Sequence, residues 1–200
     1  MTHGNGGPKI TTEKTSSRWN GGTPQKTPSW CFAAAEEAVQ HAFGNSQISQ
    51  EQIAHDVLFA RGEIGDNEGG RGAIDYYQGV ERLKATHGLS GTSWADVQGH
   101  VEGDRTLREV HRNNWGQPLL RGRTTVQGGG IESDPIKGTL DHDGLVLIGN
   151  RSHWKVIYGY QQLSDNSFKY EVYDPMSNKQ ATMDEASLRK ETEMTIQVTA

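Results

Sequence analysis

Two hundred residues suffice for one domain, or two small lobes sharing a cleft, around a real hydrophobic core. A net charge of -5 gives no basic footprint, which argues against nucleic acid or an anionic membrane as the main partner. No run approaches the ~20 apolar residues of a membrane span, and the N-terminus carries no signal-like apolar stretch.

The chain is therefore expected in the cytoplasm as synthesised, or exported by a route that needs no such signal. Hydrophobic residues make up 32% and glycines number 25, so long polar loops should surround a modest core. The single cysteine rules out an intramolecular disulfide and a cysteine-based zinc cluster.

Residues 1–22 are polar and rich in Gly, Thr, Ser and Lys, and read as a flexible leader to a domain spanning 23–200. Pro24 and Pro28 mark an extended approach to Cys31. From Cys31, apolar residues at Phe32, Ala35, Val39 and Phe43 predict a helix that Gly44-Asn45 stops. A second helix opens near Gln50 on a capping box of Ser49 and Gln52, buries Ile53, Val57 and Leu58, and stops at Gly62. After a Gly-rich acidic loop over 63–72, a third helix is predicted from Ala73 to about Thr86. A fourth follows from about Arg105 to Asn113, with Asp104 as its cap.

Beyond about Gln117 the character changes. Pro118–Leu120 reads as a short strand, and Thr124 to Asp143 as a polar interruption. Gly144–Gly149, His153–Tyr160 and Phe168–Tyr173 then read as strands rich in Val, Ile, Tyr or Leu. A short helix near Asp184–Lys190 and a strand over Met194–Val198 complete the pattern. Helices first and antiparallel strands after define an α+β fold.

A lone cysteine is often a small buried hydrophobe, but Cys31 stands in the first turn of a predicted helix. Unpaired backbone N–H groups and the positive end of the helix dipole there favour thiolate over thiol. Gln25 lies six residues upstream, where its amide could join the Cys31 backbone N–H in an oxyanion hole. A thiol nucleophile also needs a base. Of eight histidines, His153 alone opens a strongly β segment directly after a Gly-Asn-Arg-Ser turn. Asp174 ends the next strand in Tyr-Asp-Pro. An antiparallel hairpin would bring the two ends together, so that the carboxylate orients the imidazole. Taken alone, Asp-Pro is a common way to start a turn.

Gln25-x5-Cys31 entering an Ala-rich helix, then His153-Trp-Lys-Val-Ile-Tyr-Gly-Tyr, then Tyr173-Asp174-Pro175, resembles the papain-like cysteine peptidase superfamily. The likeness is to its compact bacterial branches, which include double-glycine leader peptidases and plant-pathogen effector proteases. It implies a helical lobe carrying the nucleophile and a β lobe carrying His and Asp. It further implies peptide-bond hydrolysis through a Cys31–His153–Asp174 triad with Gln25 as oxyanion donor, and no metal or organic cofactor. The partner would be a protein or peptide substrate, such as a host or target-cell protein for an effector. Phe32 stands where Trp is usual, and Asp174 where papain has Asn.

Trp30 and Trp154 flank the nucleophile and the base, as walls of a substrate site or as core aromatics. Gly6-Gly7 and Gly21-Gly22 are candidate self-cleavage points, and Asp141-His142-Asp143 is a polar turn with the chemistry of a cation ligand. An acyl-transferase, deamidase or transglutaminase would use the same thioester step, and a non-catalytic binding module could keep the same fold.

Overall fold

A computed structural model describes residues 6–26, 28, 30–53, 123–128, 130–150 and 153–199. In chain order the described elements are β1 (Ile10–Thr15), α1 (Cys31–Ala42), β2 (Arg123–Gly128), α2 (Ser133–Asp141), β3 (Leu145–Gly149), β4 (Trp154–Leu163), β5 (Phe168–Asp174), β6 (Lys179–Asp184), α3 (Glu185–Glu191) and β7 (Met194–Thr199). The strands form an antiparallel sheet in the order β2-β7-β3-β4-β5-β6, and β1 pairs with β4. This is the α+β class expected from the sequence. The predicted third and fourth helices, the strand at 118–120 and the boundary near Gln117 lie outside the described residues.

The run Leu-Val-Leu-Ile explains why the sheet is covered on both faces. Side chains alternate along a strand, and all of β3 is buried. Leu145 and Leu147 join Phe32, Ala35 and Val39 of α1 in one core cluster. Val146 and Ile148 join Ile136 and Leu140 of α2 and Leu188 of α3 in the other. A two-sided strand of this kind reads as a continuous apolar run, and burying each large aliphatic side chain contributes ~1.5–3 kcal/mol.

β4 changes phase midway. Trp154, Val156 and Tyr158 lie in the α1-side cluster, whereas Tyr160 lies with Ile157 in the opposite one. The pairing accounts for this. Ile157 faces Val172 and Gly159 faces Glu171, so Tyr158 is an extra residue opposite β5, a β-bulge. Gly159 is needed at this bulge. A Cβ there would stand 2.1 Å from Glu171 Oε2 and 2.9 Å from the Lys14 carbonyl oxygen of β1.

Three expectations are corrected. The supposed flexible leader contains β1, which adds main-chain bonds to the bulged half of β4. Beyond it, Ser16 N–H donates to the Tyr158 carbonyl at 2.8 Å, and Trp19 stacks on Tyr158 with centroids 4.7 Å apart. The supposed interruption at Thr124–Asp143 contains most of β2 and all of α2. β6 was not expected at all, because Lys-Gln-Ala-Thr-Met-Asp is a largely exposed edge whose only apolar residues are Ala181 and Met183.

Gly159→Ala is expected to lower stability by ~1–3 kcal/mol through overpacking, measured by urea denaturation. Glu171 can swing aside, but the Lys14 carbonyl can yield only by prying β1 from β4. An unchanged midpoint would show that the bulge tolerates a side chain and that this contact does not fix β1.

Candidate active site

Cys31 opens α1, with Trp30 at the N-cap and the Trp30 carbonyl accepting the Ala34 N–H at 2.9 Å. The N–H groups of an α-helix's first turn have no partner within the helix itself. Residues 31–40 are all buried, including Glu36, Glu37 and Gln40. Such polar groups are tolerated inside only when hydrogen-bonded. Gln40 Nε2 donates to Glu36 Oε1 at 2.6 Å, and Asn45 Nδ2 donates to Gln40 Oε1 at 3.0 Å. Cys31 itself is 1% exposed and belongs to the α1-side core.

His153 immediately precedes β4. Its position is fixed by Asn150, a residue the sequence reading passed over as part of a turn. Asn150 Oδ1 accepts the His153 N–H at 2.9 Å, and the Asn150 N–H donates to the His153 carbonyl at 3.1 Å. Asn150 Nδ2 in turn donates to the Glu191 carbonyl at the end of α3, at 2.5 Å. Lys155 and Glu191 add an ion pair at 2.7 Å. Asn150 and Lys155, on either side of His153, are thus both tied to Glu191 of α3.

The hairpin expected from the sequence forms. Val156 pairs with Tyr173, which leaves His153 and Asp174 beside one another at the ends of β4 and β5. His153 Nε2 donates to Asp174 Oδ1 at 2.8 Å. The same Oδ1 accepts the Met176 N–H at 2.9 Å. Asp174 therefore starts the Asp-Pro turn and holds the histidine with one oxygen.

With Nε2 engaged, Nδ1 is the nitrogen left for a reaction partner, and it is buried without a hydrogen bond. Burial opposes the charged ring, but the bond to Asp174, the nearby Cys31 side chain and the charges of both outweigh it. The His153 pKa is pushed up to about 9. Thiol and imidazole are thus close enough to interact while falling short of a formed hydrogen bond. For Asp174, burial raises the pKa, but His153, the Met176 N–H and Lys155 together hold it below the usual carboxylate range.

Gln25 lies beside this pair. Its N–H donates to the Pro175 carbonyl at 3.1 Å, which docks the strap before α1 onto the residue after Asp174. The structure thus gathers Cys31, His153, Asp174 and the Gln25 strap in one place. Trp30 and Trp154 are each 2% exposed and lie with Cys31 in the α1-side core.

Two further sequence features have structural explanations. Gly21 has φ 93°, in the left-handed region. A Cβ on Gly22 would stand 2.2 Å from the Tyr173 ring. The Asp141-His142-Asp143 groups are engaged by Lys137 and Tyr160, by the Gly138 carbonyl, and by Lys14 and Ser17 respectively. Among the described residues no group of three or more His, Cys, Asp or Glu is arranged to hold a metal ion, and no helix is long and apolar enough to cross a membrane.

A scan against protein-family models and a search of curated proteins return no match for this chain. Among solved structures the chain is similar to the peptidase domain of Streptococcus ComA, a bi-functional ABC transporter involved in a quorum-sensing pathway. The TM-score is 0.42 at 14% identity, covering 90% of this chain and 97% of that one. At this identity and TM-score the likeness is one of general shape, and what the site can do rests on its own residues.

Proposed function

We propose that this chain is a cysteine peptidase. The observation that carries the reading is the 2.8 Å bond from His153 Nε2 to Asp174 Oδ1, which leaves Nδ1 for a helix-start cysteine that acts on the same ring. Cys31 Sγ, its proton already passed to His153 Nδ1, attacks the scissile carbonyl. Charge developing on the carbonyl oxygen is met by the Cys31 N–H and the Gln25 amide. His153 then protonates the leaving amine, and a thioester forms as the C–N bond breaks. Water, activated by the now neutral His153, hydrolyses the thioester and regenerates the thiol. Asp174 keeps Nε2 as the donor and stabilises the imidazolium throughout. The substrate class is a protein or peptide, and the chemistry needs no metal or organic cofactor.

Intact-mass spectrometry with the thiol-directed inhibitor E-64 tests the nucleophile and base. Wild type should gain one inhibitor mass, Cys31→Ala none, and His153→Ala should react ~10²-fold more slowly or less. Because there is only one cysteine, any adduct has a single address. If wild type resists both E-64 and the smaller iodoacetamide, Cys31 is a core residue and the peptidase reading is wrong.

The pH dependence supplies a second check. A His153 pKa raised to about 9 means the imidazolium predominates at neutral pH and is lost as pH rises through that value. Amide hydrolysis, which needs that proton for the leaving amine, should fall through about pH 9. Hydrolysis of a p-nitrophenyl ester, whose leaving group departs unprotonated, should not fall there. In Asp174→Asn the carboxylate that holds the proton on the ring is gone, so the amide limb should move toward ~6.5, the ordinary histidine value. A limb that stays in place in Asp174→Asn would remove Asp174 from the proposed triad.

A further inference from the structure

Gln50 is a fully buried glutamine outside the triad, and every hydrogen-bonding position of its side chain faces the strap before Cys31 or the acid that supports it. Its Nε2 donates to the Pro24 carbonyl at 3.1 Å, to Thr23 Oγ1 at 3.2 Å and to Glu37 Oε1 at 3.1 Å. Its Oε1 accepts the Lys26 N–H at 3.0 Å. The amide thus grips the main chain on both sides of Gln25, as a neighbouring strand would. Glu37, itself buried on α1, fixes the clamp from behind. Its Oε2 accepts the Gln50 N–H at 2.8 Å, and its Oε1 accepts the Thr23 hydroxyl.

Other anchors complete the arrangement. The Gln25 N–H is held by Pro175, next to Asp174. Glu37 lies on the helix that Cys31 begins. The strap carrying Gln25 is therefore tied to the nucleophile's helix through Gln50 and Glu37, and to the base's orienting residue through Pro175. A buried primary amide with several partners on one short segment loses a great deal if that segment moves, because each partner would be left unsatisfied.

We infer that Gln50 is a positioning residue for the oxyanion donor Gln25, setting the strap's main chain so that a developing oxyanion beside Cys31 is met. The inference deepens the peptidase reading and rests on it. It predicts a selective defect. Acylation of Cys31 by an ester passes through a tetrahedral oxyanion and needs Gln25 in place. Alkylation by iodoacetamide displaces iodide at a saturated carbon, forms no oxyanion, and reports only on the thiol and its base.

The test compares, on the full chain, the rate of Cys31 acetylation by p-nitrophenyl acetate with the rate of its alkylation by iodoacetamide, both read at the single cysteine by intact mass. Gln50→Met keeps the volume and removes the clamp. Gln50→Glu keeps an acceptor for Lys26 but loses the donors. In both, the acylation-to-alkylation ratio should fall ~10-fold or more, within the ~10²–10³ that loss of an oxyanion donor costs. In a Gln25→Ala background the same substitutions should add little, because they act through Gln25. Thr23→Val, at an exposed position that removes only one clamp partner, should shift the ratio in the same direction by less, and it serves if the buried variants fail to fold.

A wild-type ratio in the Gln50 and Thr23 variants overturns the clamp. So does a full further loss in the Gln25→Ala background, which would mean that Gln50 acts by another route. If instead Cys31 of wild type reacts with both reagents no faster than free cysteine, the peptidase reading itself fails, a result distinct from either of these.

Discussion

The β4–β5 ladder is the constraint on which the site depends. Antiparallel pairing places Val156 opposite Tyr173, and the geometry of adjacent strands then leaves His153 and Asp174 within hydrogen-bonding reach. Nothing local to either residue could achieve this, since they are separated by a whole hairpin. The ladder is held by burial on both faces, with α1 against one and α2 and α3 against the other. A one-residue slip would turn every inward side chain outward, and it would also separate His153 from Asp174. Register is thus fixed by the core, and the site inherits its precision from that register.

The bulge at Tyr158 shows how one strand serves two environments. Before it, β4 pairs with β3 and points Trp154 and Val156 at α1; after it, β4 pairs with β1 and turns Tyr160 to the other face. Without the extra residue, Tyr160 would stay on the α1 side and leave Phe168 and Tyr170 without their neighbour. The His153 end of β4 therefore lies in the regular, centrally packed half, away from the irregularity. His153, set just before this half and hydrogen-bonded to Asn150, is held better than a side chain on a free loop.

Much of this was legible in the sequence where local pattern and tertiary placement agree. The helix after Cys31, the central strands and the meeting of His153 with Asp174 all follow from periodicity and one hairpin. β1 was hidden because Ile-Thr-Thr-Glu-Lys-Thr has one apolar residue and gains its order from main-chain bonds to β4, which no composition reveals. α2 was hidden because its helix-opening residues, Ser133-Asp134-Pro135, look like a loop, although Ile136 and Leu140 at i and i+4 carried the signal. Asn150 and Gln50 were invisible as site residues for a related reason. Their partners include groups far away in sequence, the Glu191 carbonyl for Asn150 and the Pro24 carbonyl and Lys26 N–H for Gln50, and such partners are set by the fold rather than by the local pattern.

The same groups serve fold and site together, and this bears on how the site stays organised. Asp174 Oδ1 both starts a turn and holds the imidazole. Gly22 lets the strap pass against the Tyr173 ring next to Asp174. Glu37 satisfies Gln50 and Thr23 while sitting on the helix that Cys31 begins. A dedicated site residue can be lost with little effect on folding, but a shared one cannot move without unsatisfying a buried partner, at ~1–3 kcal/mol for each group left unpaired. Against a total stability of ~5–15 kcal/mol, a few such penalties suffice to hold the strap, the helix start and the hairpin end in a single arrangement. The Gly21-Gly22 pair fits the same logic. Left-handed backbone at one position and close approach to an aromatic ring at the next account for two glycines there, so their presence argues for a shaped strap rather than for a cleavage signal.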